Sequence, residues 1–296
     1  MYFIKSFRYL FVIASFYFLP TQVSLGKPLQ VVASFSIISD LAKQVGKEHV
    51  EITTLVNREG DVHHYEPKPT DVIKLNKADL ILMNGLQFED FLPRLLAASE
   101  TPAPVITLSD GIKTLSDSNQ QVDPHAWHSV SNVLLYVENI VNAFCEVNPD
   151  NCPIYQANAT SYHQQLIQLD KEIQQAVKAI PTHKRTVVIR HQAFQYFEDR
   201  YGLHFFALEG SAAQAETSAR RLANAIKQLQ QGSASAIFAE SFHDSRLITQ
   251  VSKESGVVVS GTLYSDTLSR ESGEAQSYIA LMKHNIRLLK QALAHP

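Results

Sequence analysis

From residue 29 onward, short apolar runs alternate with stretches in which apolar residues recur every three or four positions. The runs Leu29–Phe35, Val50–Val56, Leu80–Asn84 and Val105–Leu108 predict strands, and the segments Ile37–Val45, Pro69–Asn76 and Phe88–Ala98 between them predict helices. One stretch breaks the alternation. Over Ile154–Ile180 the residues Tyr155, Ala159, Tyr162, Leu166, Leu169, Ile173 and Val177 keep helical spacing without interruption, so a single helix of about 25 residues is expected, stopped by Pro181. A second alternating block follows. Strands are predicted at Thr186–Ile189, Phe205–Leu208, Ala236–Ala239 and Val257–Ser260, and helices at Ala193–Tyr201, Ala215–Gln230, Leu247–Ser255 and Ala275–Leu293.

Strand and helix in alternation give a parallel sheet covered by helices, because a parallel crossover needs a helix-length connection. The fold expected is therefore α/β: two similar lobes with parallel sheets covered by helices, joined by one long rigid helix. The corresponding boundaries are 27–153 for the first lobe, 154–181 for the linking helix and 182–296 for the second. A length of 296 residues with 45% hydrophobic content is enough for two cores.

The first 26 residues differ in kind. Lys5 and Arg8 precede an apolar run from Tyr9 to Leu19, followed by Pro20 and the small-residue pattern Ser24-Leu25-Gly26. That order predicts a signal peptide cleaved before Lys27, since the run is shorter than the roughly 20 residues a spanning helix needs. The mature chain is expected to be a free periplasmic protein with no membrane anchor, because no cysteine stands at the cleavage point. In an oxidising compartment the two cysteines, Cys145 and Cys152, are expected to form a local disulfide. A net charge of −3 provides no basic field for nucleic acid.

The candidate chemistry lies in three histidines and one aspartate, each placed where a strand-like run gives way to a loop. They are His63 in Asp61-Val62-His63-His64-Tyr65-Glu66-Pro67, His125 in Asp123-Pro124-His125-Ala126-Trp127, His191 directly after the strand Thr186–Ile189, and Asp266 after Gly261-Thr262-Leu263-Tyr264-Ser265. In open α/β sheets, ligands bind beyond the carboxyl ends of strands, so residues at these exits can converge. Imidazole nitrogens with a carboxylate suit zinc and its neighbours.

These segments, with Ala78-Asp79-Leu80-Ile81-Leu82-Met83-Asn84-Gly85, His191-Gln192-Ala193-Phe194-Gln195-Tyr196-Phe197, Tyr201-Gly202-Leu203 and Tyr264-Ser265-Asp266-Thr267-Leu268, resemble the metal-specific cluster of ABC-transporter solute-binding proteins, which includes zinc- and manganese-uptake receptors. The resemblance covers nearly all of the mature chain. It implies that His63, His125, His191 and Asp266 are the metal ligands, two from each lobe, and that the long helix limits lobe closure. It also implies a monomeric receptor that delivers its ion to the permease of an ABC importer in the inner membrane. Histidine at position 191 goes with zinc in this family and a carboxylate with manganese, so Zn2+ is the expected cargo and Mn2+ the alternative.

The motif departs from the family pattern at Val62 and at the His63-His64 pair. His63 is assigned by its register with Tyr65-Glu66-Pro67, while His64 stays open, and His128, three residues after His125, is a possible auxiliary ligand. The loop Ser116–Gln121 carries no histidine, so no metal-gathering loop is expected. Glu240 and Ser241 follow a buried strand, and are read as an ordinary strand end slightly ahead of a partner that orients a ligand. Trp127 and Phe194 flank ligand positions and are expected to wall off water. The remaining histidines (His49, His163, His183, His204, His243, His284, His295) are read as surface or packing residues.

An enzyme is not expected. A catalytic zinc keeps an open position beside three protein ligands, and four would close the site. The chain has no His-Glu-x-x-His pair, no Gly-x-Ser-x-Gly elbow and no phosphate-binding glycine loop.

Overall fold

The computed structural model describes residues 27–116, 120–210, 219–241 and 244–294. The predicted signal peptide, part of the 116–121 loop, the first residues of the helix expected from Ala215, and His243 and His295 lie outside the described residues.

Two four-stranded parallel sheets form the framework. The first contains β1 (Leu29–Phe35), β2 (Val50–Val56), β3 (Leu80–Met83) and β4 (Val105–Thr107) in the order β2-β1-β3-β4. The second contains β5 (Thr186–His191), β6 (His204–Glu209), β7 (Ala236–Glu240) and β8 (Val259–Leu263) in the equivalent order β6-β5-β7-β8. In each, the chain reverses its direction of travel across the sheet beside the first strand, and a crevice opens at the carboxyl ends there. β1 is buried along nearly its whole length, which is why it reads as a continuous apolar run and not as an alternation.

Helices α1 (Ser36–Gly46), α2 (Pro69–Asn76) and α3 (Leu92–Ser99) connect the first sheet. The reading from periodicity assigns no element between Leu108 and Ile154, yet α4 runs from Val130 to Val147. Its buried residues Val130, Val133, Val137, Ile140, Val141 and Phe144 keep the helical spacing that marks it. Cys145 near its end is bonded to Cys152. The long helix α5 follows, Cys152–Lys178, 27 residues or about 40 Å. All seven residues that the spacing put on its inner face are buried.

The second sheet carries α6 (Gln195–Tyr201), α7 (Ala219–Gln230), α8 (Arg246–Ser255) and α9 (Tyr278–Leu293). α6 stops at Gly202, whose φ of 79° is a left-handed turn open to glycine at little cost. α5 packs against α1 and α4 on one side and α6 and α9 on the other. A single apolar core thus continues from β1 through α5 to α9, and a smaller one lies under α7 and α8. Among the described residues no helix is long and apolar enough to cross a membrane.

Candidate metal centre

Loops beyond the carboxyl ends of the strands bring His63, His125 and Asp266 together with His191, the last residue of β5. One donor atom from each lies within 4.8 Å of the others. Asp266 sits at the centre: its Oδ2 is 3.6 Å from His63 Nε2 and 3.3 Å from His191 Nε2, and its Oδ1 is 3.5 Å from His125 Nε2. The Nε2 atoms of His63 and His125 are 3.3 Å apart. Donors at 2.0–2.1 Å from a tetrahedral zinc would stand about 3.3 Å from one another. These four separations are of that size, and hydrogen bonding alone does not require three imidazoles to point their Nε2 atoms at one carboxylate.

His125 and His191 are each aimed by a carboxylate behind the ring. His125 follows Asp123 and Pro124, and Asp123 Oδ1 accepts from its backbone N–H (2.9 Å) and lies 2.7 Å from its Nδ1. His191 is the last residue of β5, which runs two residues past the Ile189 end expected from the sequence. Glu240, at the end of the adjacent β7, accepts its backbone N–H at 2.9 Å through Oε1 and lies 2.5 Å from its Nδ1 through Oε2. Glu240 therefore does more than end a strand: with Nδ1 engaged, Nε2 is turned to Asp266, 3.3 Å away. Ser241 Oγ has no such role in the structure; its backbone N–H donates to Leu263 O.

The His63-His64 pair is resolved by burial. Tyr65 OH and the Lys68 N–H both donate to Asp71, at 2.9 and 2.8 Å, which ties the loop to the start of α2. His63 is then turned inward, its side chain 9% exposed, while His64, 63% exposed, pairs with Asp61 at 3.0 Å.

The apolar wall differs from expectation in one member. Trp127 meets His125 edge to face (ring centroids 5.3 Å apart), and Phe88, which the sequence did not single out, packs on His63 at 5.0 Å and on His125 at 5.6 Å. Phe194 instead lies on His128, at 4.4 Å. His128 is wholly buried, neither of its ring nitrogens has a hydrogen-bond partner, and it is not one of the four that converge. His49, His163, His204 and His284 are likewise outside that group and face Glu48, the Leu134 carbonyl, Glu198 and Glu274.

Burial shapes the protonation of the donors. It pushes His63 down to about 4, only partly opposed by Asp266, so this ring is neutral and able to coordinate across the neutral range. Burial also acts to lower His191, but the carboxylates of Glu240 and Asp266 outweigh it and raise the ring well above its ordinary value. His128 is held down at about 3 by burial.

The family model described as "Zinc-uptake complex component A periplasmic" matches residues 31–292. The manganese-binding lipoprotein MntA of Halalkalibacterium halodurans is 34% identical over 262 residues, covering 88% of this chain and 87% of that protein. The iron ABC transporter substrate-binding lipoprotein MtsA of Streptococcus pyogenes serotype M1 is 30% identical over 284 residues, with coverage of 93% and 92%. Among solved structures, the periplasmic zinc binding protein TroA of Treponema pallidum superposes with a TM-score of 0.86 at 28% identity, covering 91% of this chain and all of that one.

Proposed function

The chain belongs to the family of periplasmic zinc-uptake component A, the metal-binding substrate receptors of ABC importers, and from that premise we propose that it captures one Zn2+ between its lobes and delivers it to an inner-membrane permease. The ion is cargo, and His63, His125, His191 and Asp266 are its ligands. The observation that carries this is the convergence of three Nε2 atoms on the two oxygens of Asp266 at 3.3–3.6 Å.

Three nitrogen donors favour zinc over manganese, which stands at the weak end of the divalent series. The wall of Phe88 and Trp127 keeps water from the ion. With four protein ligands around zinc there is no open position for a catalytic water, which supports a receptor and not a hydrolase. A manganese reading is favoured by one feature: both oxygens of Asp266 face the histidines, so the carboxylate can bind through both and raise the coordination number. Metal analysis of protein taken from its own compartment without added metal tests the choice. One zinc per chain supports the reading, and manganese in its place overturns it.

Several relatives are named lipoproteins. Both cysteines of this chain lie in the Cys145–Cys152 bond. That supports an exported form carrying no cysteine-linked lipid. The intact mass of the mature protein checks it.

A further inference from the structure

Asp266 comes from the second lobe by sequence, but its loop is bonded to the first. Immediately before it, the Ser265 carbonyl accepts the Trp127 indole N–H at 2.9 Å. Immediately after it, Thr267 Oγ1 accepts the Glu59 backbone N–H at 3.0 Å and lies 3.1 Å from Ser36 Oγ. The Leu268 N–H donates to Ser36 Oγ at 3.0 Å. The Arg58 guanidinium donates to the carbonyls of Ser269 and Gln276, both at 2.9 Å, and Arg270 pairs with Glu59 at 2.6 Å. Ser36, Thr267 and Leu268 are buried, so the bonds of Ser36 Oγ are shielded from water, while the Arg270–Glu59 pair and the Arg58 bond to Gln276 lie at the surface.

The partner of this brace is the turn that leads to His63. Asn57–Gly60 closes through a Gly60 N–H to Asn57 O bond at 3.0 Å, and Glu59 at its third position has a φ of 64°. A glutamate in that left-handed region is held against its own preference, which persists where surrounding contacts fix it. Here the contacts are its N–H, shared between Thr267 Oγ1 and the Leu268 carbonyl at 3.3 Å, and its carboxylate to Arg270. By contrast, the partner behind His191 is Glu240, from its own sheet.

We propose that Thr267, with Arg58, is a positioning residue that fixes Asp266 to the first lobe, so that the site divides three to one: His63, His125 and Asp266 form a preassembled half, and His191 completes it. This rests on the four-ligand reading above. It makes release a matter of withdrawing one imidazole, while the carboxylate stays where the brace holds it. Thr267 touches no donor atom of the metal in this account; it acts through the backbone of Asp266.

The test is stopped-flow dissociation of zinc into a chelator, with full-length mature protein, for wild type, Thr267→Val, Thr267→Ser and Arg58→Ala. The electronic spectrum of the Co2+ form and the melting temperature of the metal-free form are measured beside it. Thr267→Val should release zinc about tenfold faster and shift the Co2+ bands, because losing the hydroxyl that meets both the Glu59 N–H and Ser36 Oγ frees the carboxylate. Thr267→Ser keeps the hydroxyl and should restore both. Arg58→Ala, at a half-buried site, should speed release by about threefold. Wild-type release and wild-type Co2+ bands in Thr267→Val would overturn the proposal. So would an equal defect in Thr267→Ser, or faster release that merely follows a lower melting temperature with unchanged bands. If the wild-type protein itself fails to bind zinc, the four-ligand reading falls first, and the brace with it.

Discussion

Glu240 Oε2 lies 2.5 Å from Nδ1 of His191, while Oε1 of the same carboxylate accepts the backbone N–H groups of Arg190 and His191, each at 2.9 Å. The residue is therefore held at both its backbone N–H and its Nδ1, and its Nε2 has one direction in which to point. Replacing Glu240 by Ala should weaken zinc binding by roughly 10- to 100-fold without removing a ligand. Competition titration against a chelator of known affinity measures it, and an unchanged affinity would show that His191 needs no orienting group.

A single converging site predicts one zinc per chain. His125 is wholly buried and held by Asp123, so His125→Ala should cost orders of magnitude in affinity and leave no second tight site. Calorimetric titration giving two equally tight zincs for the wild type would contradict the one-site account.

Proton competition should be set by His191 and not by His63. His63, lowered to about 4 by burial, is already neutral at pH 6 and offers the ion no proton to displace there. His191 is raised by Glu240 and Asp266 against its burial, so the metal-free protein still holds that proton at and above pH 6.5, and zinc must expel it. Affinity should therefore climb with pH through and beyond 6.5. Binding enthalpies in buffers of different ionisation heat should reveal about one proton released per zinc at pH 7.

Changing His191 to Glu exchanges a nitrogen for a harder oxygen donor and should move preference from zinc toward manganese. The single change sets a new carboxylate against Glu240, so the informative variant pairs His191→Glu with Glu240→Gln. Competitive titration of both metals should show a lower zinc-to-manganese ratio in the double variant. An unaltered ratio would mean that residue 191 does not touch the ion.

Glu89 supplies a prediction about stability. It accepts from Ser34 Oγ at 2.6 Å and from the N–H groups of Asn84 and Gly85 at 2.7 and 3.1 Å, yet burial raises it to about 7. A carboxyl whose folded value is raised stabilises the fold below its unfolded value of 4.5, and this contribution is lost as pH climbs from there to about 7. Glu89→Gln should remove that loss. The metal-free variant should gain up to about 3 kcal/mol relative to wild type between pH 5 and pH 8 in urea unfolding. Parallel pH profiles for the two proteins would refute the assignment.

Much of the fold is legible locally. A buried parallel strand reads as an apolar run, and a long helix between two bodies shows one unbroken inner stripe, so Leu29–Phe35, the run at Leu80 and the seven buried residues of α5 can be read from spacing alone. His63, His191 and Asp266 were also findable, because each lies at or just past the end of a strand-like run, where an α/β sheet opens its crevice, while His125, well beyond the end of β4, was marked by the Asp123–Trp127 motif. What the chain by itself could not decide was every pairing across sequence distance. His63 and His64 are equal as residues, and only the anchoring of Tyr65 and Lys68 to Asp71 turns one in and the other out. Glu240 looks like any strand end until β7 is laid beside β5, 49 residues earlier, and its carboxylate meets His191. Likewise Asp266 is counted with the second lobe until Thr267 is seen bonded to Glu59, 208 residues away. Periodicity records which face of an element is buried, since burial is repeated at every turn or every second residue. It carries no record of which distant group lies opposite, because that is fixed by strand order and by the packing of the two lobes around α5.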